Sequence, residues 1–344
     1  MNSNGKNGKL TTISIGTLNC RGIRSKTKRR AIFRQTKTHF DAVLLQDTHL
    51  DNNLASITSK EFRGTWNFNH NVANAGGVAV YNSDNAGRVL ENDTEDYSDD
   101  KGRVIGRTIQ LDGFKIYVIS AYAPCVDSTT IRQQANYDFL KNLEQIIISK
   151  RSKGLEVLVG ADLNFIRDSE LDASGGEPKT FKRQQDWINR MENQLGVVDA
   201  LRFMRPEEKI VTWSRTGCAR RLDYILCSKR LLERATESVI IPVPSSDHRL
   251  VGIKFVLGKD VISGPGLWRH NDSLLKEDEY TKMMSDTINE VKLQNFESRT
   301  AQWEYCKFKI REASIKFSKN RAAAKRNEKK RLEKAYICLF FNAL

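Results

Sequence analysis

Four apolar runs in this chain each adjoin residues able to hold a cation or move a proton. ISIGTL ends at Asn19, VLLQ at Asp47 and His49, and VLVGA at Asp162 and Asn164, while Asp247 and His248 directly precede RLVGIKFVL. Tyr122 closes YVISA, and Asp223 lies inside RRLDYIL. An oxygen-rich set of this kind suits Mg²⁺ or Mn²⁺, hard cations that take one or two carboxylates and keep positions for water and phosphate oxygens. A further Asp can then accept a proton from water, and an amide and an imidazole can stabilise charge on a phosphate. Singly, each residue has a plainer reading: strand-end acids are commonly turn residues or helix N-caps, and Tyr122 before Ala-Pro can be a packed aromatic. The functional reading rests on their joint occurrence.

For these residues to meet, the runs must be strands whose ends share an edge. LTTISIGTLN alternates and breaks at Asn19 to Gly22, and DAVLLQ, GGVAVYNS, RVIGRTIQL, FKIYVISAYAP, LEVLVGADLNFI, KIVTWSR, RRLDYILCS and RLVGIKFVL also read as strands. Asp112-Gly113 predicts a hairpin between the fourth and fifth of them. Helical spacing covers KTKRRAIFRQTKTHF, with Ile32, Phe33 and Phe40 inward, and FKRQQDWINRMENQ. Residues 128–150 predict a third helix, with Ser128 as N-cap and Ile131, Phe139, Leu143 and Ile146 inward. Strands outnumber helices and hairpins are frequent, so a mixed-sheet α/β sandwich is expected rather than a regular βαβ repeat.

The 344 residues allow one large or two small domains, and 39% hydrophobic with 28% charged content fits a globular chain. A net charge of +14 favours a polyanionic partner. Arg21, Arg24, Lys26, Lys28, Arg29 and Arg30 cluster just after Asn19; they read equally as a solvated helix face or as phosphate contacts that position duplex DNA. Six dispersed cysteines show no zinc spacing, no secretory leader or membrane span is visible, and an intracellular, nuclear protein without a membrane partner is expected.

The series TLNCRG, LLQDTH, AYAP, VGADLN, TWSR, RRLDYI and SSDHRL, in this order, resembles the endonuclease/exonuclease/phosphatase superfamily over residues 10–257. That resemblance implies a four-layered α/β sandwich with two mixed β-sheets flanked by helices. It places Asn19, Asp47 and Asp247 at a Mg²⁺ site, with Mn²⁺ as the alternative. It makes Asp162 the group that orients or deprotonates the attacking water and gives Asn164 the same water and a phosphate oxygen. His248 would donate to the scissile phosphate, Asp223 would fix the imidazole, and Tyr122 would bond the phosphate. Thr212 and Ser246 match positions near the phosphate, Arg21 and Arg24 would contact DNA, and His49 would support the metal ligand. Two departures stand out: Ala161-Asp162-Leu163 where Gly-Asp-Phe is common, and Asp47 where the family usually has Glu. The second retracts a carboxylate by roughly 1.5 Å, one C–C bond. Either the strand shifts to compensate, or Mg²⁺ affinity falls and Mn²⁺ serves better.

GPGLWRHNDSLL resembles the junction between endonuclease and reverse transcriptase in LINE-type retrotransposon polyproteins, so the chain reads as truncated before the polymerase. The expected organisation is a flexible N-terminus (1–9), the nuclease-like domain (10–257), a Gly/Pro linker (258–272) and a helical, basic C-terminal segment (273–344). Its densest run, Lys316 to Lys334, reads as a nucleic-acid-binding arm with RNA among its ligands, a nuclear localisation signal, or a linker helix. The expected activity is metal-dependent nicking of one DNA strand, leaving a 3′-hydroxyl. The competing expectations are an apurinic or exonuclease-III-like repair nuclease and, from another class, a catalytically weak nucleic-acid-binding remnant.

Overall fold

The computed structural model describes residues 12–71, 75–84, 88–89, 95–111, 114–243, 246–257, 272–294, 296 and 298–342. The strands are β1 (Thr12–Asn19), β2 (Ala42–Gln46), β3 (Thr65–Asn69), β4 (Val78–Asn82), β5 (Arg88–Val89), β6 (Tyr97–Ser98), β7 (Val104–Leu111), β8 (Phe114–Tyr122), β9 (Glu156–Asp162), β10 (Ala173–Ser174), β11 (Val197–Asp199), β12 (Trp213–Arg215), β13 (Cys218–Arg220), β14 (Asp223–Ser228), β15 (Ala235–Pro242) and β16 (Arg249–Val256). The helices are α1 (Lys26–His39), α2 (Asn52–Glu61), α3 (Thr130–Ser152), α4 (Lys182–Leu195), α5 (Ala200–Met204), α6 (Lys229–Leu232), α7 (Asp278–Lys292) and α8 (Arg299–Asn342).

One large sheet runs β15-β16-β1-β2-β4-β3 and the other β11-β14-β9-β8-β7-β5, with β6 also on β7; β10-β13-β12 form a small third sheet. Each large sheet is mixed, because β1 and β2 are parallel, as are β8 and β9, within otherwise antiparallel sheets. Strand alternation assigns the layers. Ala42 and Leu44 of β2 join Ile13, Ile15, Val118, Leu158 and Ile225 in the core between the sheets. Val43 and Leu45 face the other way, onto Ile32 and Phe33 of α1. On the far side, Val157, Val159, Tyr224 and Leu226 pack under Leu140, Leu143, Trp187 and Met191 of α3 and α4. The order helices, sheet, sheet, helices is the expected four-layer sandwich. Strands covered on both faces must be apolar throughout, which is why AVLLQ shows no alternation.

Several expectations need correction. The third helix begins one residue later, capped by Thr129 whose hydroxyl accepts from Arg132 N, and Ile131 is 82% exposed. Its buried stripe is Asn136, Leu140, Leu143 and Ile147, with Phe139 and Ile146 only flanking it. KIVTWSR is a strand only over its last three residues, and RRLDYILCS divides between β13 and β14, because Arg221 leaves the ladder for a buried ion network. The edge strand β15 was not expected at all. The Asp112-Gly113 turn and residues 258–271 of the linker lie outside the described residues.

The chain divides into two compact units, one of residues 9–260 and a second that holds the C-terminal helices. The C-terminal one has its own small core, in which Tyr280 and Met284 of α7 meet Ile310, Ala313 and Phe317 of α8, and the Tyr280 and Ser314 hydroxyls are 2.7 Å apart. Among the described residues, no helix is long and apolar enough to cross a membrane.

Candidate active site

Pairing register brings the polar strand ends to one edge. Asn19 lies opposite Gln46, the residue before Asp47; Tyr122 lies opposite Asp162, and Asp162 opposite Asp223. The sheets then meet through side chains, since Asn19 Nδ2 donates to Asp162 Oδ2 at 2.8 Å. His248 completes the bridge: its Nδ1 is 2.9 Å from Asp223 Oδ2, and its Nε2 is 4.0 Å from Asp162 Oδ2. Asp162, Asp223 and His248 are all buried. The backbone N–H of Asn164 donates to Asp162 Oδ1, and its side chain donates to Ala123 O. Asn164 sits at φ +57°, in the left-handed region that asparagine tolerates better than most residues.

The loop after β2 holds two more left-handed residues, Asp47 (φ +53°) and His49 (φ +57°). Their side chains close on each other, His49 Nε2 lying 2.9 Å from Asp47 Oδ1, while Arg24 donates to His49 O and to Asp51 Oδ2. Strain of this kind is held in place by surrounding bonds and is common where a side chain must be aimed. Arg24 thus braces the Asp47 loop. Arg21 is exposed at the rim, where its backbone N–H donates to Asn19 Oδ1 and its guanidinium pairs with Asp247 Oδ2 at 2.6 Å. Arg29 is buried against Glu61 and two carbonyls, so it is neither a solvated face nor a phosphate contact.

Thr212 and Ser246, expected near the phosphate, are committed inside the protein. Thr212 is fully buried; its hydroxyl donates to Asp223 Oδ2 at 2.6 Å and accepts from Asp223 N. Ser246 donates to Asn19 O and accepts from His248 N. Both hold the machinery from behind. Two neighbours carried no sequence signal of their own. Trp213 Nε1 donates to Asp247 Oδ2, and the Arg103 guanidinium lies 5.2 Å from the Tyr122 ring while donating to Tyr122 O. Only the register of β7 on β8 could have placed Arg103 here.

Two donor sets could take a divalent cation. Asp162, Asp223 and His248 offer ligand atoms within 4.8 Å of one another, but a cation there would break the imidazole–carboxylate bond. The second set is Asn19, Asp47 and Asp247. Asp247 Oδ1 is buried with no hydrogen-bond partner, an acceptor left for something outside the chain. An all-oxygen set with such an orphan fits a hard cation.

Electrostatics separate the titratable groups. Burial, then repulsion from Asp223, raises Asp162 from 3.8 to about 7. Burial would push His248 down, but the facing Asp223 overrides it, with Asp162 and Asp247 adding to the pull, and raises it from 6.5 to about 9. Burial and the charges of Asp47 and Asp162 push the Tyr122 phenol up, so it stays protonated. A proton bound more tightly in the native state stabilises fully below the unfolded pKa and is lost as pH rises through the folded one. For His248 that window runs from 6.5 to about 9. In chelator, the melting temperature is therefore expected to fall across this window more for the wild type than for His248→Gln. The differential should be on the order of 3 kcal/mol. Parallel curves for the two proteins would contradict it.

A model of the endonuclease/exonuclease/phosphatase family matches residues 16–248. The uncharacterized 149 kDa protein of transposon TX1 from Xenopus laevis is 25% identical over 281 residues, 80% of this chain and 20% of its own length. The chain thus spans about one fifth of that relative. Among solved structures, an AP endonuclease from Archaeoglobus fulgidus is similar at 19% identity and TM-score 0.57, over 71% of this chain and 100% of the other. The AP endonuclease LMAP from Leishmania major gives 17% and 0.59, over 72% and 88%. The 3′ phosphatase NExo from Neisseria, bound to a product DNA hairpin, gives 16% and 0.58, over 71% and 99%. At these identities the solved structures establish the fold.

Proposed function

We propose, since this chain belongs to the endonuclease/exonuclease/phosphatase family, that it is a divalent-metal-dependent DNA endonuclease that nicks one strand and leaves a 3′-hydroxyl. The observation that carries this reading is the hydrogen-bonded run Asn19–Asp162, with His248 and Asp223 beside it, spanning two sheets at their common edge. The transposon relative supports DNA as the substrate, and the net charge of +14 supports a polyanion.

Asn19, Asp47 and Asp247 would hold Mg²⁺ or Mn²⁺, which would supply positive charge to the scissile phosphate. Asp162, raised by burial and Asp223, accepts the proton of the attacking water as its oxygen joins phosphorus; the bond to the 3′ oxygen breaks with its electron pair, and that oxygen takes a proton from solvent water to leave as the 3′-hydroxyl. Asn164 holds the water and a phosphate oxygen. His248, protonated and fixed by Asp223, donates to the phosphate as negative charge builds, and the protonated Tyr122 adds a second donor. Arg21 meets the DNA backbone at the rim.

Supercoiled plasmid tests the reading. Nicking in Mg²⁺ or Mn²⁺ that stops with chelator, and a product that a polymerase extends directly from its 3′ end, are the expected results. Retardation of DNA without cleavage would favour the binding remnant, and cleavage confined to abasic duplex would favour the repair nuclease. A second expectation concerns the short carboxylate. Asp47→Glu should lower the Mg²⁺ concentration needed for half-maximal nicking by about threefold to tenfold and narrow any Mn²⁺ advantage, because Mg²⁺ tolerates little departure from direct coordination geometry. A loss of activity in that variant would show that the left-handed turn and His49 already fit the shorter stem.

A further inference from the structure

The core between the two sheets changes character directly beneath the site. Ile15, Leu44, Val118 and Leu158 are apolar and fully buried. One pleat nearer the edge come Thr17, Gln46, Ser120 and Gly160, and the next residues on those faces are Asn19, Tyr122 and Asp162. The polar layer is organised by one side chain. Gln46 Oε1 accepts from Thr17 Oγ1 at 3.2 Å within its own sheet. Gln46 Nε2 reaches across to Ser120 Oγ at 3.0 Å and Gly160 O at 3.1 Å in the other, and Ser120 returns a bond to Leu45 O at 2.8 Å. Gln46, Thr17 and Ser120 have no solvent exposure.

The sheets also approach closely here. A Cβ on Gly160 would lie 2.7 Å from Leu44 Cδ1 and 2.8 Å from Thr17 Cβ, well inside contact distance. Glycine at this position therefore permits the spacing, and the Gln46 amide ties it. We propose that Gln46 is a positioning residue for the hydrolytic site. It fixes the gap between the sheets, and so the 2.8 Å contact between Asn19 on one and Asp162 on the other. The inference rests on the proposed hydrolysis for its kinetic test, but its geometric content is independent of it. An ordinary core role would make Gln46 matter for stability alone. A positioning role makes it matter for turnover, because a shift of about 1 Å in a reacting group can lower a rate roughly hundredfold.

The test compares the full chain with Gln46→Leu, Gly160→Ala and Leu143→Ala, the last in the core under α3, away from the site. Gln46→Leu removes the tie, and Gly160→Ala wedges the sheets with the tie intact. Both are expected to lower kcat about hundredfold with DNA KM within about threefold, whereas Leu143→Ala lowers Tm and leaves kcat per folded molecule unchanged. If Gln46→Leu and Gly160→Ala behave like Leu143→Ala, the proposal fails. Should Gln46→Leu not fold, Gln46→Met, which keeps the side-chain length without the amide, decides. A crystal structure of either variant reads the same point without turnover. An Asn19–Asp162 distance beyond hydrogen-bond range supports the proposal, and an unchanged contact overturns it, even if the wild-type chain does not nick DNA and the functional reading falls.

Discussion

Asp162→Asn is expected to lower the nicking rate by about 10³–10⁴ at saturating metal while leaving DNA binding within a few-fold. Two arguments set the size. Asp162 is the carboxyl that burial and the neighbouring Asp223 raise to about 7, so it holds a proton far more readily than an ordinary carboxylate. An amide cannot take up that role, so the general-base contribution goes entirely. The second argument is local. Both Asp162 oxygens accept, Oδ1 from Asn164 N and Oδ2 from Asn19 Nδ2. An asparagine can satisfy one of those donors and must set its own N–H groups against the other, so Asn19 or Asn164 is displaced as well. Circular dichroism should show a folded variant, because removing a charge from beside Asp223 offsets part of the lost bonding. Single-turnover cleavage of a nickable duplex is the measurement. A variant within tenfold of wild type would place the proton transfer on bulk water and leave Asp162 an orienting role.

That Asp162 is legible in the sequence while its supports are not has physical causes. Asn19, Asp47, Tyr122 and Asp162 stand where apolar runs stop, and parallel pairing in each sheet sends those stops to one edge. The layers were legible for a similar reason, since DAVLLQ and LEVLVGA are apolar on both faces and need cover on both. What escaped was the direction of hydroxyls and guanidiniums. Thr212 and Ser246 sit in the expected motifs, yet their hydroxyls point into Asp223 and Asn19 O, a choice made by the fold and not by residue type. Ile131 looked like a helix-face residue because the apolar count cannot tell a core position from one turn too early. The edge strand β15 is half-exposed and ends in proline, so its pattern resembles a loop. Arg221 in RRLDYI carries no mark of its burial, because nothing in composition separates a buried arginine from the many exposed ones.

That arginine carries the second large effect. Arg221→Met is expected to destabilise the domain by about 3–5 kcal/mol, the loss typical of one partner removed from a buried ion network. The Arg221 guanidinium has no solvent exposure. It grips Asp172 through Nε and Nη2 at 2.7 and 3.1 Å and Asp199 Oδ2 through Nη1 at 2.6 Å, and it stacks 4.3 Å from the Tyr224 ring. Burial opposes its charge, but Asp199, Tyr224 and Asp172 overcome that and hold it protonated. Without it, among the described residues, Asp172 keeps Arg202 and two backbone N–H groups, whereas Asp199 keeps the N-cap bond from Arg202 N. Asp199 is then a buried carboxylate short of a counterion, which is the source of the loss. Removing both charges with Arg221→Met and Asp199→Leu should recover part of the loss, as paired replacement commonly does. At about 2–4 °C per kcal/mol for a domain of this size, the single variant should melt on the order of 10 °C below wild type. Because Arg221 stands two residues before Asp223, the same variant should also loosen the Asp223–His248 pair, and kcat should fall with the fraction folded held constant. A melting point within 2 °C of wild type at pH 7 would mean that Arg202 takes over both carboxylates, and the network would then be redundant rather than a foundation of the site.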